Sequence, residues 1–158
     1  MKWNEVEFSS IEVTTTVRDR VKFTYDGGKP FRFQIPRGAC PYGMNAWKSM
    51  AVLQGAEFCA WYKTLEEHLA HALDPFNSNL SATGALRVKV SEQTNVFDAE
   101  RQIIFPAIDE GLFRGQDVSC QIEIDGRYFY NDQHGLVVKC IQVMFWGEPV
   151  TSCSFLDD

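Results

Sequence analysis

Val118-Ser119-Cys120-Gln121-Ile122-Glu123-Ile124 alternates apolar and polar residues, and after Asp125-Gly126 the chain resumes as Arg127-Tyr128-Phe129-Tyr130. Asn131-Asp132-Gln133-His134-Gly135 follows, and Leu136 to Phe145 is long and mostly apolar. A period of two places alternate side chains on opposite faces of a strand. Asp-Gly between such runs signals a two-residue turn, and the Asn-Asp-Gln-His-Gly cluster signals another. The stretch reads as three strands separated by two turns, and it makes the chain mainly β.

Upstream the pattern repeats. Ser10 to Val17 is β-branched, and Val21-Lys22-Phe23-Thr24-Tyr25 alternates up to Asp26-Gly27-Gly28. Pro30 to Pro36 alternates with Phe31, Phe33 and Ile35 on one face and Arg32 and Gln34 on the other. Those last two segments are expected to pair as a hairpin. Residues 37–47 read as a loop, Lys48 to Gln54 as a strand, and residues 74–84 as a polar, mobile loop. Leu86 to Val90 is a strand with Arg87 and Lys89 facing away from its apolar side, and Ile103 to Phe105 is a short one. A single helix is predicted over about 57–73, where Phe58, Trp61, Leu65, Leu69 and Leu73 recur every three or four residues before Asp74-Pro75. Many short antiparallel strands around one helix predict an OB-like antiparallel β-barrel with one main α-helix and accessory strands. One domain is expected over 1–148, followed by a short acidic C-terminal tail over 149–158.

Composition supports that reading. The 158 residues are 45% hydrophobic and 13% aromatic, enough apolar surface for a core and against general disorder. No apolar run approaches the roughly 18 residues of a membrane span. The first residues show no signal-peptide pattern, so an intracellular protein without membrane association is expected. The five cysteines, Cys40, Cys59, Cys120, Cys140 and Cys153, are odd in number and widely spaced, as reduced core thiols would be.

Catalysis finds little support. His68 and His71 sit three residues apart on the helix, but a third metal ligand is not evident, and His134 falls in a turn. There is no GxSxG, phosphate-binding loop or dinucleotide fingerprint. Scattered carboxylates such as Asp98, Glu100, Asp109 and Glu110 have no spacing that singles out a metal-dependent nuclease. No enzyme, cofactor or metal is expected.

Charge is uneven. The net is −6, yet residues 1–48 hold 8 of 15 Lys/Arg and 5 of 21 Asp/Glu, a net of +3. A polyanion can therefore be held only by a local basic face. Single-strand binders combine cations that follow phosphates with aromatic faces on which bases stack. Arg32, Arg37, Tyr42, Trp47, Lys48, Arg87, Lys89, Arg127, Tyr128 and Tyr130 interleave those two kinds of side chain. The other reading of the same residues is a β-barrel interaction or structural module, such as a virion or assembly component, that binds no nucleic acid.

Two stretches carry a resemblance. One runs Phe33-Gln34-Ile35-Pro36-Arg37-Gly38, Pro41-Tyr42-Gly43-Met44-Asn45, then Phe58 and Trp61-Tyr62-Lys63-Thr64-Leu65-Glu66. The other is Ile104-Phe105-Pro106, Gly115, Val118 to Ile122, Gly126 to Tyr130, and His134 to Val143. Together, over most of residues 20–146, they resemble the OB-fold single-stranded DNA-binding proteins of large DNA viruses and T7-type phages. The resemblance implies a sequence-independent binder of single-stranded DNA acting in replication, recombination or repair. It also implies a homodimer located in the host cytoplasm, or in the nucleus for a virus. It adds Lys139 to the groove residues above. A C-terminal tail that docks replication proteins is implied at Phe155, Asp157 and Asp158, although this tail is shorter and less acidic than is usual in the family.

Overall fold

The computed structural model describes residues 1–15, 20–43, 48–70, 73–104 and 114–147. In chain order the strands are β1 (Ile11–Thr15), β2 (Val21–Tyr25), β3 (Lys29–Pro30), β4 (Arg32–Gln34), β5 (Gly38–Cys40) and β6 (Ser49–Leu53). Helix α1 (Ala56–Ala70) follows, then β7 (Phe76–Asn77), β8 (Ala85–Lys89), β9 (Asn95–Phe97), β10 (Gln116–Tyr130) and β11 (Gln133–Phe145). The hydrogen-bonded ladder runs β1-β2-β10-β11-β8-β6, with β3 on β2, β4 and β5 on β10, and β7 and β9 on β11. It is antiparallel except where β11 runs parallel to β7, β8 and β9. The fold is mainly β and OB-like, with one helix and a sheet that does not close into a ring among the described residues.

The alternating pattern sorts the side chains as period two requires. Phe31, Phe33 and Ile35 are buried, while Val118, Cys120, Ile122 and Ile124 cover the same core from β10. The helix adds Phe58, Tyr62, Leu65 and Leu69. Burying each such side chain stabilises the fold by about 1.5–3 kcal/mol. Trp61 is only half-buried and packs edge-on against Trp3 and Phe33, at 5.4 and 5.3 Å between ring centres. The helix is described as far as Ala70, and the last turn expected up to Leu73 falls on residues 71 and 72, which lie outside the described residues. The Leu73 N–H bonds the Ala70 carbonyl.

The turn expected at Asp125-Gly126 is absent. β10 is a single 15-residue strand that passes through this dipeptide with a bulge, the register moving from Ile124↔Val138 to Gly126↔Val137. Gly126 answers a different demand, because it pairs with Lys22 of β2 and a Cβ there would fall onto the Val21 carbonyl oxygen. A glycine that admits a neighbouring backbone has the same spelling as one that turns the chain. The second turn is real. Asn131 and Asp132 both have positive φ, +50° and +58°, the backbone of a two-residue hairpin.

Three more expectations are corrected by short strands. Only Lys29–Pro30 folds back on β2, while β4 crosses to pair with β10 instead. The loop expected over 37–47 contains β5, and the one over 74–84 contains β7 and a bridge from Leu80 to Leu86. β9 was not expected at all, and Ile103 makes one bridge to it. Strands of two or three residues carry no alternation to read. Cys40, Cys120 and Cys140 are buried free thiols, and burial pushes Cys40 up to about 11, so it stays protonated and unreactive. Cys153 and the tail with Phe155, Asp157 and Asp158 lie outside the described residues.

Candidate nucleic-acid interface

On the outer face of the sheet, three adjoining hollows of about 690, 510 and 560 Å³ form a groove around Val137, which lines all three. β2, β10, β11, β8 and β6 all contribute. Arg20, Lys22 and Arg127 enter from one side, Lys48 from another, Arg87 and Lys89 from β8, and Lys139 from the centre of β11. Among the described residues that line the hollows, Asp125 and Glu92 are the acidic ones. The registers explain why β8 and β11 concentrate charge here, since Lys139 pairs with Lys89 and Lys89 with Ser49. Lys22, Lys48, Arg87 and Lys89 make no ion pair among the described residues, whereas Lys139 holds Asp125 at 3.1 Å. That pair is about half exposed and so contributes about 0–1 kcal/mol, which leaves the ammonium open to a competing phosphate. Arg127 stands 5.9 Å from the Phe23 ring, and its buried Nε makes no hydrogen bond among the described residues.

Tyr128 forms the aromatic wall. It lines two of the three hollows and pairs with Gly135, where a Cβ would collide with its ring. The absent side chain lets the phenol lie flat across β11. The Asn77 side-chain amide donates to its hydroxyl at 3.2 Å, fixing the far end. Beyond it, Phe129 and Tyr130 are 63% and 71% exposed at the hairpin tip, Phe129 resting on His134 with ring centres 4.7 Å apart. A cationic groove beside flat, exposed rings can take a flexible polyanion whose residues carry π-faces.

The same architecture occurs in solved structures. The single-stranded DNA-binding protein from bacteriophage Enc34 superposes with a TM-score of 0.56 at 13% identity, covering 92% of this chain and 96% of that one. Its structure in complex with single-stranded DNA gives 0.54 at 15% identity, over 87% and 98%. The shared feature is the fold. No family model matches the sequence. No curated protein matches it either.

The remaining expected residues are placed elsewhere. Arg32 belongs to the row Arg32↔Glu123↔Lys139↔Lys89 across the outer face, but its Nε is bound to Glu123 at 2.8 Å. Arg37 pairs with Asp117 at 3.1 Å and covers the Trp146 ring at 4.4 Å, at the end of the sheet away from the hairpin tip. Tyr42 is 76% exposed after β5 and does not line the groove, and Trp47 lies outside the described residues. Arg20, Lys22 and Phe129 line the groove without having been singled out from sequence. The alternation Val21-Lys22-Phe23 did carry a signal for Lys22, outward where Phe23 is inward. His68 packs on the Phe8 ring, and no cluster of three metal-ligating side chains exists among the described residues.

Proposed function

We propose that the protein binds single-stranded DNA without sequence preference and carries out no chemistry on it. Phosphates lie along Lys22, Lys48, Arg87, Lys89, Arg127 and Lys139, and bases stack on Tyr128, with Phe129 and Tyr130 extending the platform. The observation that carries this reading is the convergence of six cations in hollows lined by one fixed aromatic ring, with Lys48 in the adjoining hollow, on a chain whose net charge is −6. A fold shared with a phage single-stranded DNA-binding protein supports it. The acidic remainder disfavours stiff duplex, which presents charge to more of the surface than the groove alone. The corresponding role is protection of single strands during replication, recombination or repair inside the host cell, by a protein that acts as a homodimer.

Fluorescence anisotropy of a labelled dT oligomer of about 30 nucleotides tests this, since OB-type surfaces occupy about 4–16 nucleotides each. Binding that duplex fails to compete, and that weakens with salt at about −0.7 log units per phosphate contact, is expected. No binding at low salt would overturn the reading in favour of a protein-interaction module. The mass of the free protein in solution, one chain or two, tests the dimer.

A further inference from the structure

The outer face has a second hollow, of about 490 Å³, on the same two long strands but farther from the hairpin tip. Its character differs from that of the groove. Gln34, Gln121 and Gln142 form one continuous row across β4, β10 and β11, and Asn95 of β9 extends it. The three glutamines line the hollow, and none of the four side-chain amides makes a hydrogen bond among the described residues. Each amide offers one acceptor and two donors. Arg101 is the one charged residue in the lining. Trp146 closes the end, its indole N–H donating to the Ser119 hydroxyl at 2.9 Å and one face covered by the Arg37 guanidinium. Phe97 and Met144 add apolar surface.

We propose that this hollow is a nucleobase subsite that lengthens the DNA path and modestly grades affinity among bases, on a protein that still binds strands of any sequence. The inference rests on the single-stranded DNA reading above. A ring of donors and acceptors with a fixed indole and almost no charge suits a neutral, planar, hydrogen-bonding group. A nucleobase is such a group, whereas a phosphate would find one exposed arginine. Continuity favours the same strand as occupant. Gln121 lies two residues from Glu123 on the same face, and Glu123 is the direct neighbour of Lys139 in the groove. From Tyr128 to Gln121 is seven residues, about 23 Å at roughly 3.3 Å per residue. A strand leaving the groove past Lys139 meets the amide row next. Because amides read the edges of bases and not their charge, this part of the path alone distinguishes one base from another.

The test compares Gln121→Ala/Gln142→Ala and Trp146→Leu with the unaltered protein. The probes are dA, dC and dT oligomers of about 8 and about 30 nucleotides, spanning the site sizes of OB-type surfaces. Both variants should bind the long oligomers about tenfold more weakly and the short ones within about twofold, a loss in the range of one stacked base. The salt slope should stay unchanged, and the spread of affinities among the three bases should narrow in the glutamine variant. Gln121 is exposed and Gln142 partly so, which keeps that variant folded even if Trp146→Leu loosens the sheet end. Long-oligomer affinities within twofold of the unaltered protein would overturn the subsite and leave the groove standing. A flattened salt slope would also overturn it, by making the contact a phosphate one. Failure of the unaltered protein to bind any oligomer would instead remove the DNA reading itself.

Discussion

Near its tip, the β10–β11 ribbon gathers Lys139, Arg127, Lys22, Arg87 and Lys89 around Tyr128, with two carboxylates among the described residues of the lining. Away from the tip, two arginines beside the same ribbon are tied to acids, Arg32 to Glu123 and Arg37 to Asp117. Both regions come from alternating strands with a basic residue at outward positions. What separates them is the cross-strand partner. Outward positions of β8 and β6 beside β11 bring Lys89 and Ser49, while outward positions of β10 beside β4 and β5 bring Glu123 and Asp117. A cation is available to a ligand when its neighbours in the ladder leave it unpaired, and the register decides that.

The largest effect should come from removing available charge. Arg87→Ala/Lys89→Ala is expected to weaken oligo-dT binding by more than tenfold at low salt and to flatten the log–log salt slope by about 1.4, two contacts at roughly 0.7 each. Tyr128→Ala comes next, weakening binding by about 1–3 kcal/mol in the same titration, with Tyr128→Phe close to the unaltered protein. Gly135→Ala should approach the Tyr128→Ala loss by displacing the ring. If Tyr128→Ala unfolds the chain instead, the ring is core and no platform. Arg32→Gln sharpens the contrast from the other side. It should change DNA affinity by about twofold at most, while urea unfolding should show a loss of about 1–3 kcal/mol, because the Glu123 side chain it leaves behind is only 12% exposed.

The smallest effect concerns Glu66, on the buried side of α1, with Ser78 donating to one oxygen and the other oxygen without a hydrogen bond among the described residues. Burial raises its carboxyl above the ordinary value of 4.5, against the lowering effect of the Ser78 bond. The folded chain therefore favours the protonated form. That contribution is fully present below pH 4.5 and is lost as pH rises through the raised value. Glu66→Gln should raise the melting temperature slightly at neutral pH, and the gain should vanish in acid below pH 4.5.

Much of this fold is written in local pattern. Phe31-Arg32-Phe33-Gln34-Ile35 and Leu86-Arg87-Val88-Lys89-Val90 give their inward and outward faces directly, and the stripe Phe58-Trp61-Leu65-Leu69 gives the helix. What escaped was set by tertiary context. Asp125-Gly126 reads as a turn because the close approach of Val21 is invisible along the chain. The short strands β5, β7 and β9 exist only because β10 and β11 are long enough to pair with them. For the groove, residue types were legible but availability was not, since nothing near Arg32 in sequence announces Glu123, 91 positions away.

The most direct test sets the two regions against each other on one ligand. A labelled dT oligomer of about 30 nucleotides, longer than a single OB-type site, is titrated at several salt concentrations with three proteins. These are the unaltered chain, Lys22→Ala/Arg87→Ala/Lys89→Ala, and Arg32→Gln. The groove variant should lose most of its affinity and much of its salt dependence, while Arg32→Gln follows the unaltered protein. Equal losses in both variants would mean that the ligand responds to overall charge, and no groove at the tip of the β10–β11 ribbon would be needed to explain binding.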